Sequence, residues 1–245
     1  YLYILKEFDE QKLMEFKHEK TFYEQIENKH RFISKYFGIL KDKKNNYIII
    51  EYIEGETLMN FIEKQKKQLS IDYKTQIIFE IATSIEYIHS KNIILRDLKS
   101  DNIIIDKDGN ANLIDFDQSR LLDEEEIQNK EVEMTGNIGC VYYMAPEQYS
   151  TNKYSQKVDI YSLGMIIHFI ITETSYQSSI EEIYELNIIL KQNILKFNEI
   201  EKCPQNYENL YNIYKDCLEF SPESRPNLNQ ICYLLMIYVK NIFIQ

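Results

Sequence analysis

A chain of 245 residues and 29.5 kDa is long enough for one large domain or two lobes sharing a core. Its 44% hydrophobic and 27% charged residues are ordinary globular usage and argue against disorder. Thirty-nine acids against 28 bases leave a net charge of −11, which argues against a sequence-blind nucleic-acid binder and mildly favours basic partners, although a solvated acidic surface is the commoner explanation.

Residues 1–8 are apolar and aromatic and predict a strand ending near Lys6. The opening Tyr1-Leu2-Tyr3-Ile4 is neither a signal peptide nor a translation start, and reads as an excerpt of a longer protein. Leu13, Phe16, Phe22, Tyr23 and Ile26 recur at roughly helical spacing and predict an amphipathic helix over 11–28. Phe37–Leu40 and Tyr47–Tyr52, separated by Lys-Asp-Lys-Lys-Asn-Asn, predict a hairpin. At Glu54-Gly55 strands give way to helices, the first over 71–90. A short hairpin follows, Ile103–Ile105 and Ala111–Ile114 about an Asp-Lys-Asp-Gly-Asn turn. Residues 118–142 form an acid-rich, irregular stretch, longer than a passive loop. Helical patterns then cover 159–171, 179–192, 207–218 and 228–240. The longest apolar run, around 160–172, falls short of the about 20 residues a membrane span needs. Cys140, Cys203, Cys217 and Cys232 form no C-x-x-C pair and no zinc-ligand spacing; they read as reduced thiols of a cytoplasmic protein. The six glycines stand too far apart to write a G-x-G-x-x-G or Walker loop anywhere in the chain.

The chemistry concentrates in Leu95-Arg96-Asp97-Leu98-Lys99-Ser100-Asp101-Asn102, followed by Asp115-Phe116-Asp117. These segments resemble the eukaryotic protein kinase family, Ser/Thr type, whose catalytic loop reads H-R-D-L-K-x-x-N and whose metal motif reads D-F-G. Met144-Ala145-Pro146-Glu147 is similar to the family's A-P-E, and Asp159-Ile160-Tyr161-Ser162-Leu163-Gly164 to its D-x-[WY]-S-x-G helix. Arg225 within Pro222–Pro226 is similar to its late arginine, and Glu51–Gly55 to its hinge. The resemblance implies an α+β, two-lobed fold: a truncated antiparallel-sheet N-lobe over 1–53 and a mainly helical C-lobe over 54–245. It also implies ATP-dependent phosphorylation of Ser/Thr hydroxyls on protein substrates, with ATP and Mg²⁺ as cofactors.

Phosphoryl transfer needs an aligned nucleophile and cations on the phosphate oxygens rather than covalent help. The resemblance gives Asp97 the substrate hydroxyl proton, Lys99 a charge near the transferred phosphate, and Asn102 and Asp115 the metal, for which hard oxygen ligands are suited. Lys6 takes the phosphate-binding role, with Glu19 as its partner and Glu24 as the competitor; Glu51, Ile53 and Ile104 border the nucleotide. The resemblance also implies a structural ion pair of Glu147 with Arg225 and a stack of Tyr23, Tyr36, Leu95 and Phe116 resting on Asp159, the alternative being that these are ordinary core side chains. Arg96 and Arg120 are expected to gather a phosphate on Thr135. The bland alternatives are that Asp123, Glu124, Glu125 and Glu126 already mimic that phosphate, or that Thr135 is merely an exposed loop residue.

Four departures qualify the resemblance. Leu95 replaces the motif's histidine, Asp117 its D-F-G glycine, Ile4 a small alanine, and Cys140 a threonine that touches the catalytic loop. The glycine-rich loop is expected upstream of residue 1. These departures keep open a pseudokinase acting as a binding or scaffold module. The pair Asp115 and Asp117 also suggests a small-molecule phosphotransferase, against which Ala145-Pro146-Glu147 and Arg225 weigh.

Overall fold

The computed structural model describes residues 2–65, 68–129, 132–133, 142–150, 153–173 and 207–243. Strand β1 (Tyr3–Phe8) leads through an Asp9-capped turn into helix α1 (Leu13–Ile26). The helix buries Phe16, Glu19, Phe22, Tyr23 and Ile26 on one stripe, and Glu27 in the left-handed conformation (φ 54°) ends it. Leu13, expected on that stripe, sits exposed at the first turn. Strands β2 (Tyr36–Lys41) and β3 (Asn46–Glu51) complete an antiparallel sheet of order β1-β3-β2.

Strand β4 (Gly55–Thr57) follows at once, so strands do not stop at Glu54-Gly55 as the sequence suggests. It leaves the first sheet and pairs with β6 (Ile103–Asp106), which pairs in turn with β7 (Ala111–Leu113). Glycine is required at position 55 because a Cβ there would lie 2.1 Å from the Ile105 carbonyl oxygen. Helix α2 (Leu58–Lys64), unexpected from the sequence, is capped by Thr57, whose Oγ1 accepts from the Asn60 amide. Helix α3 (Ile71–Ser90) is capped the same way by Ser70 and buries Ile77, Ile78, Ile81, Ile85 and Ile88.

Between α3 and β6, the short β5 (Ile93–Ile94) pairs with β8 (Arg120–Leu121). This pairing brings the two ends of the motif region together. The acid-rich stretch holds more order than the sequence implies: β8, helix α4 (Glu124–Asn129) and β9 (Val132–Glu133) all fall inside it. Asp123 Oδ1 accepts from the Glu126 amide at 2.8 Å and Glu126 Oε2 accepts from the Asp123 amide at 3.0 Å, a reciprocal cap for α4.

Helix α5 (Pro146–Ser150) precedes β10 (Lys153–Tyr154), which pairs with β9. Helix α6 (Lys157–Thr172) is buried from Val158 to Ile170, and at Gly164 a Cβ would meet Cys217 at 2.8 Å. That close approach lets α7 (Glu208–Cys217) pack against it, while α8 (Leu228–Phe243) lies along α3. The helix expected over 179–192 lies outside the described residues, as do Thr135 and Cys140. Among the described residues no helix is long and apolar enough to cross a membrane.

Candidate active site

The stripe that buries α1 also carries the first functional contact. Glu19 lies three residues from Phe16 and four from Tyr23, so helical periodicity turns its carboxylate inward. Lys6 Nζ on β1 stands 2.8 Å from Glu19 Oε2 and 2.5 Å from Asp115 Oδ1. Glu24 faces the other way and pairs with Lys20 at 2.7 Å. Residues 109 positions apart in sequence thus meet at one ammonium.

Burial sets the electrostatics of this triad. Glu19 is fully buried, with the Lys6 ammonium 2.8 Å from one of its oxygens. Burial pushes its carboxyl up to about 7 against the pull of the Lys6 ammonium. Burial opposes the charge on Lys6, but Glu19 and Asp115 outweigh it and raise the amine. Burial and the Asp115 carboxylate also push Asp117 up. In the unfolded chain Glu19 loses its proton near the ordinary value, whereas in the folded protein it keeps it to about 7. Folding therefore loses stability through this group as pH rises across that window. Glu19→Gln lacks that loss. Urea unfolding across this window should show the variant gaining on the unmodified protein as pH rises; a constant difference would refute the assignment.

The segment Leu95–Asn102 is held from below by α6. The buried Asp159 carboxylate accepts from the Leu95 and Arg96 amides, both at 2.9 Å, and lies 2.7 Å from His89 Nε2. These bonds hold Arg96 in the left-handed conformation (φ 70°), an uncommon one for a residue with a Cβ. Gln156 adds bonds to the His89 and Ile93 carbonyls at 3.2 and 2.8 Å. On this base Asp97 Oδ2 accepts from Lys99 Nζ at 2.6 Å. Asn102 Nδ2 donates to the Asp97 carbonyl at 3.0 Å and to Oδ2 at 3.3 Å. With its nitrogen engaged there, the amide of Asn102 presents its oxygen on the other side. The Ile114 amide donates to the Asn102 carbonyl at 2.9 Å, which sets Asp115 (φ 64°) next to the loop.

The three aromatic members of the expected stack are in contact. Tyr23 and Tyr36 stack at 5.4 Å, Tyr23 meets Phe116 edge-on at 5.6 Å, and Phe22 stacks on Phe116 at 3.8 Å. The buried Tyr23 hydroxyl lies 2.9 Å from Ser34 Oγ, and Tyr36 stays half-buried, so each phenol has an outlet. Leu95 shares the same core, with its amide on Asp159. Ile104 is half-buried between the buried Ile103 and Ile105, and pairs in register with Thr57 just past the half-buried Ile53. Glu51 engages Lys35 at 3.2 Å through its carboxylate.

A model of the protein kinase domain matches residues 2–234. The chain belongs to the protein kinase family. It is 29% identical over 199 residues to probable serine/threonine-protein kinase kinY of Dictyostelium discoideum, covering 80% of this chain and 33% of that protein. It is 30% identical over 210 residues to human receptor-interacting serine/threonine-protein kinase 1, covering 81% and 31%. Over 140 residues it is 38% identical to serine/threonine-protein kinase shk2 of Schizosaccharomyces pombe, covering 57% and 23%. The chain thus spans about a third or less of the length of these relatives.

In this kinase domain Glu147 and Arg225 form a two-pronged ion pair at 2.6 and 2.8 Å. The cations named for Thr135 have other anchors. Arg96 Nε donates to the Gln118 carbonyl at 2.6 Å, and Arg120 pairs with Glu126. One of the four acids that could stand in for a phosphate therefore already meets Arg120. His18, one residue before Glu19, was not anticipated; burial, then Arg96 and Arg120, lower its pKa. His89 and Gln156 were also missed. Each acts across a fold contact that sequence spacing does not display.

Proposed function

We propose that this kinase domain transfers the terminal phosphoryl group of ATP to Ser/Thr hydroxyls of proteins. The observation that carries the reading is Lys6 lying between Glu19 and Asp115, next to a loop that presents Asp97 and Asn102. The donor set fits the metal the family uses. Asn102 offers an oriented amide oxygen and Asp115 a partly exposed carboxylate, and magnesium prefers such hard oxygens. When bound, the ion supplies positive charge to the phosphate oxygens.

The remaining roles fall to the chain itself. Lys6, fixed by Glu19, offers a cation to phosphate oxygens, while Ile53 and Ile104 border the base. Asp97 orients the acceptor hydroxyl and takes its proton. Lys99, bonded to Asp97, adds charge beside the transferred group and is the feature that favours Ser/Thr acceptors. The three relatives, all serine/threonine-protein kinases by name, support the same acceptor class. The net charge of −11 favours a basic protein substrate.

The full-length protein, incubated with labelled ATP, magnesium and peptides bearing Ser, Thr or Tyr, should yield phosphoserine or phosphothreonine. Label on tyrosine alone would overturn the acceptor class. Nucleotide binding without any transfer would leave the domain a binding module.

A further inference from the structure

A buried hydroxyl pair joins the catalytic loop to the segment ahead of α5, and none of the roles above uses it. Ser100 is fully buried and directly follows Lys99. Its Oγ lies 2.8 Å from the hydroxyl of Tyr143, which is 9% exposed. The Tyr143 carbonyl accepts from Ser162 Oγ on α6 at 2.8 Å. Just beyond, the Ala145 amide donates to Gln148 Oε1 at 2.8 Å and Arg225 grips Glu147. The backbone of this segment is thus anchored to the lower core, while the Tyr143 side chain reaches the catalytic loop.

From that hydroxyl to the proton acceptor the path is short. Ser100 is bonded to Lys99, whose ammonium lies 2.6 Å from Asp97 Oδ2 and whose carbonyl accepts from the Asn102 amide at 3.1 Å. Tyr143 supplies a hydroxyl to that loop.

We propose that Tyr143 is a positioning residue for the catalytic loop, acting through Ser100 on the Lys99–Asp97 pair. The proposal rests on the phosphotransfer reading above. Its test uses Tyr143→Phe and Ser100→Ala, singly and together, in the full-length protein. Each single change should lower kcat/KM for a Ser/Thr peptide about three- to ten-fold, the loss of one hydrogen bond. The double variant should fall no further than the worse single one, because both remove the same link. The Kd for ATP should stay unchanged. Unaltered kcat/KM, additive losses, or an equal loss in ATP affinity would each overturn the proposal. Hydrogen exchange of the amides of Leu98–Asn102 gives a readout independent of turnover: Tyr143→Phe should speed it, and unchanged exchange would overturn the link. If the unmodified protein transfers no phosphate, the phosphotransfer reading fails, and exchange still decides the link.

Discussion

Asp97→Asn should lower phosphate transfer by the full-length protein about 10²- to 10⁴-fold, the usual contribution of a positioned acid–base group. The substitution keeps the shape of the side chain and removes its charge and basicity. An amide oxygen can still accept from Lys99 and Asn102, so the loop should keep its conformation, which Asp159 fixes through the Leu95 and Arg96 amides. An amide cannot take up the acceptor proton, and Lys99 loses the counter-charge 2.6 Å away. The loss should therefore appear in kcat, with ATP affinity and the urea midpoint near those of the unmodified protein. Steady-state kinetics beside an unfolding curve checks it. Turnover like that of the unmodified protein would refute the role given to Asp97.

The kinase motifs were legible because their spacing is short and covalent. Asp97 to Asn102 is one loop, and the hairpin β6–β7 then returns the chain so that Asp115 lies beside it. Such geometry survives projection onto a line of residues. Glu19 was legible in principle as well: it lies on the same helical face as Phe16, Tyr23 and Ile26, and Glu24 does not. Helix α4 carried a signal that the acid-rich composition hid, since Asp123 and Glu126 stand at the spacing of a reciprocal cap. Thr57 similarly announced α2.

Other features had no local signal. Ser100 and Tyr143 meet across 43 residues, and His89 finds Asp159 across 70. The turn of Gly55–Thr57 away from the first sheet depends on a partner strand nearly fifty positions on. Each is decided by tertiary packing, which overrides what a local window contains. This separates the two kinds of error. The charged groups of the candidate site stand out in the sequence, whereas the contacts that orient them come from elements packed beneath it.

Arg225→Ala should be among the most destabilising changes available, at about 3–5 kcal/mol, because it breaks a buried ion pair from one side. The Arg225 side chain is fully buried. Its guanidinium bonds both oxygens of Glu147 at 2.6 and 2.8 Å, and the carbonyls of Glu219, Lys157 and Phe220 at 2.8, 2.9 and 3.3 Å. It also lies 5.1 Å from the Tyr161 ring. Alanine removes all of these donors and leaves the Glu147 carboxylate without this counter-charge. Lys157 is no substitute, because its ammonium is committed to the carbonyls of Arg225 and Pro226 at 2.6 and 3.2 Å. Lysine at position 225 supplies charge but not the planar fork that meets two carboxylate oxygens at once, so Arg225→Lys should recover only part of the loss. Glu147 lies in the first turn of α5, four residues after Tyr143, so its release also loosens the segment that reaches Ser100. Transfer to a protein acceptor should consequently fall further than nucleotide binding at a temperature where the variant is still folded. Urea unfolding of both variants, paired with kcat/KM for a peptide acceptor and Kd for ATP, measures these effects together. A midpoint for Arg225→Ala matching the unmodified protein would show that the pair does not hold the segment in place.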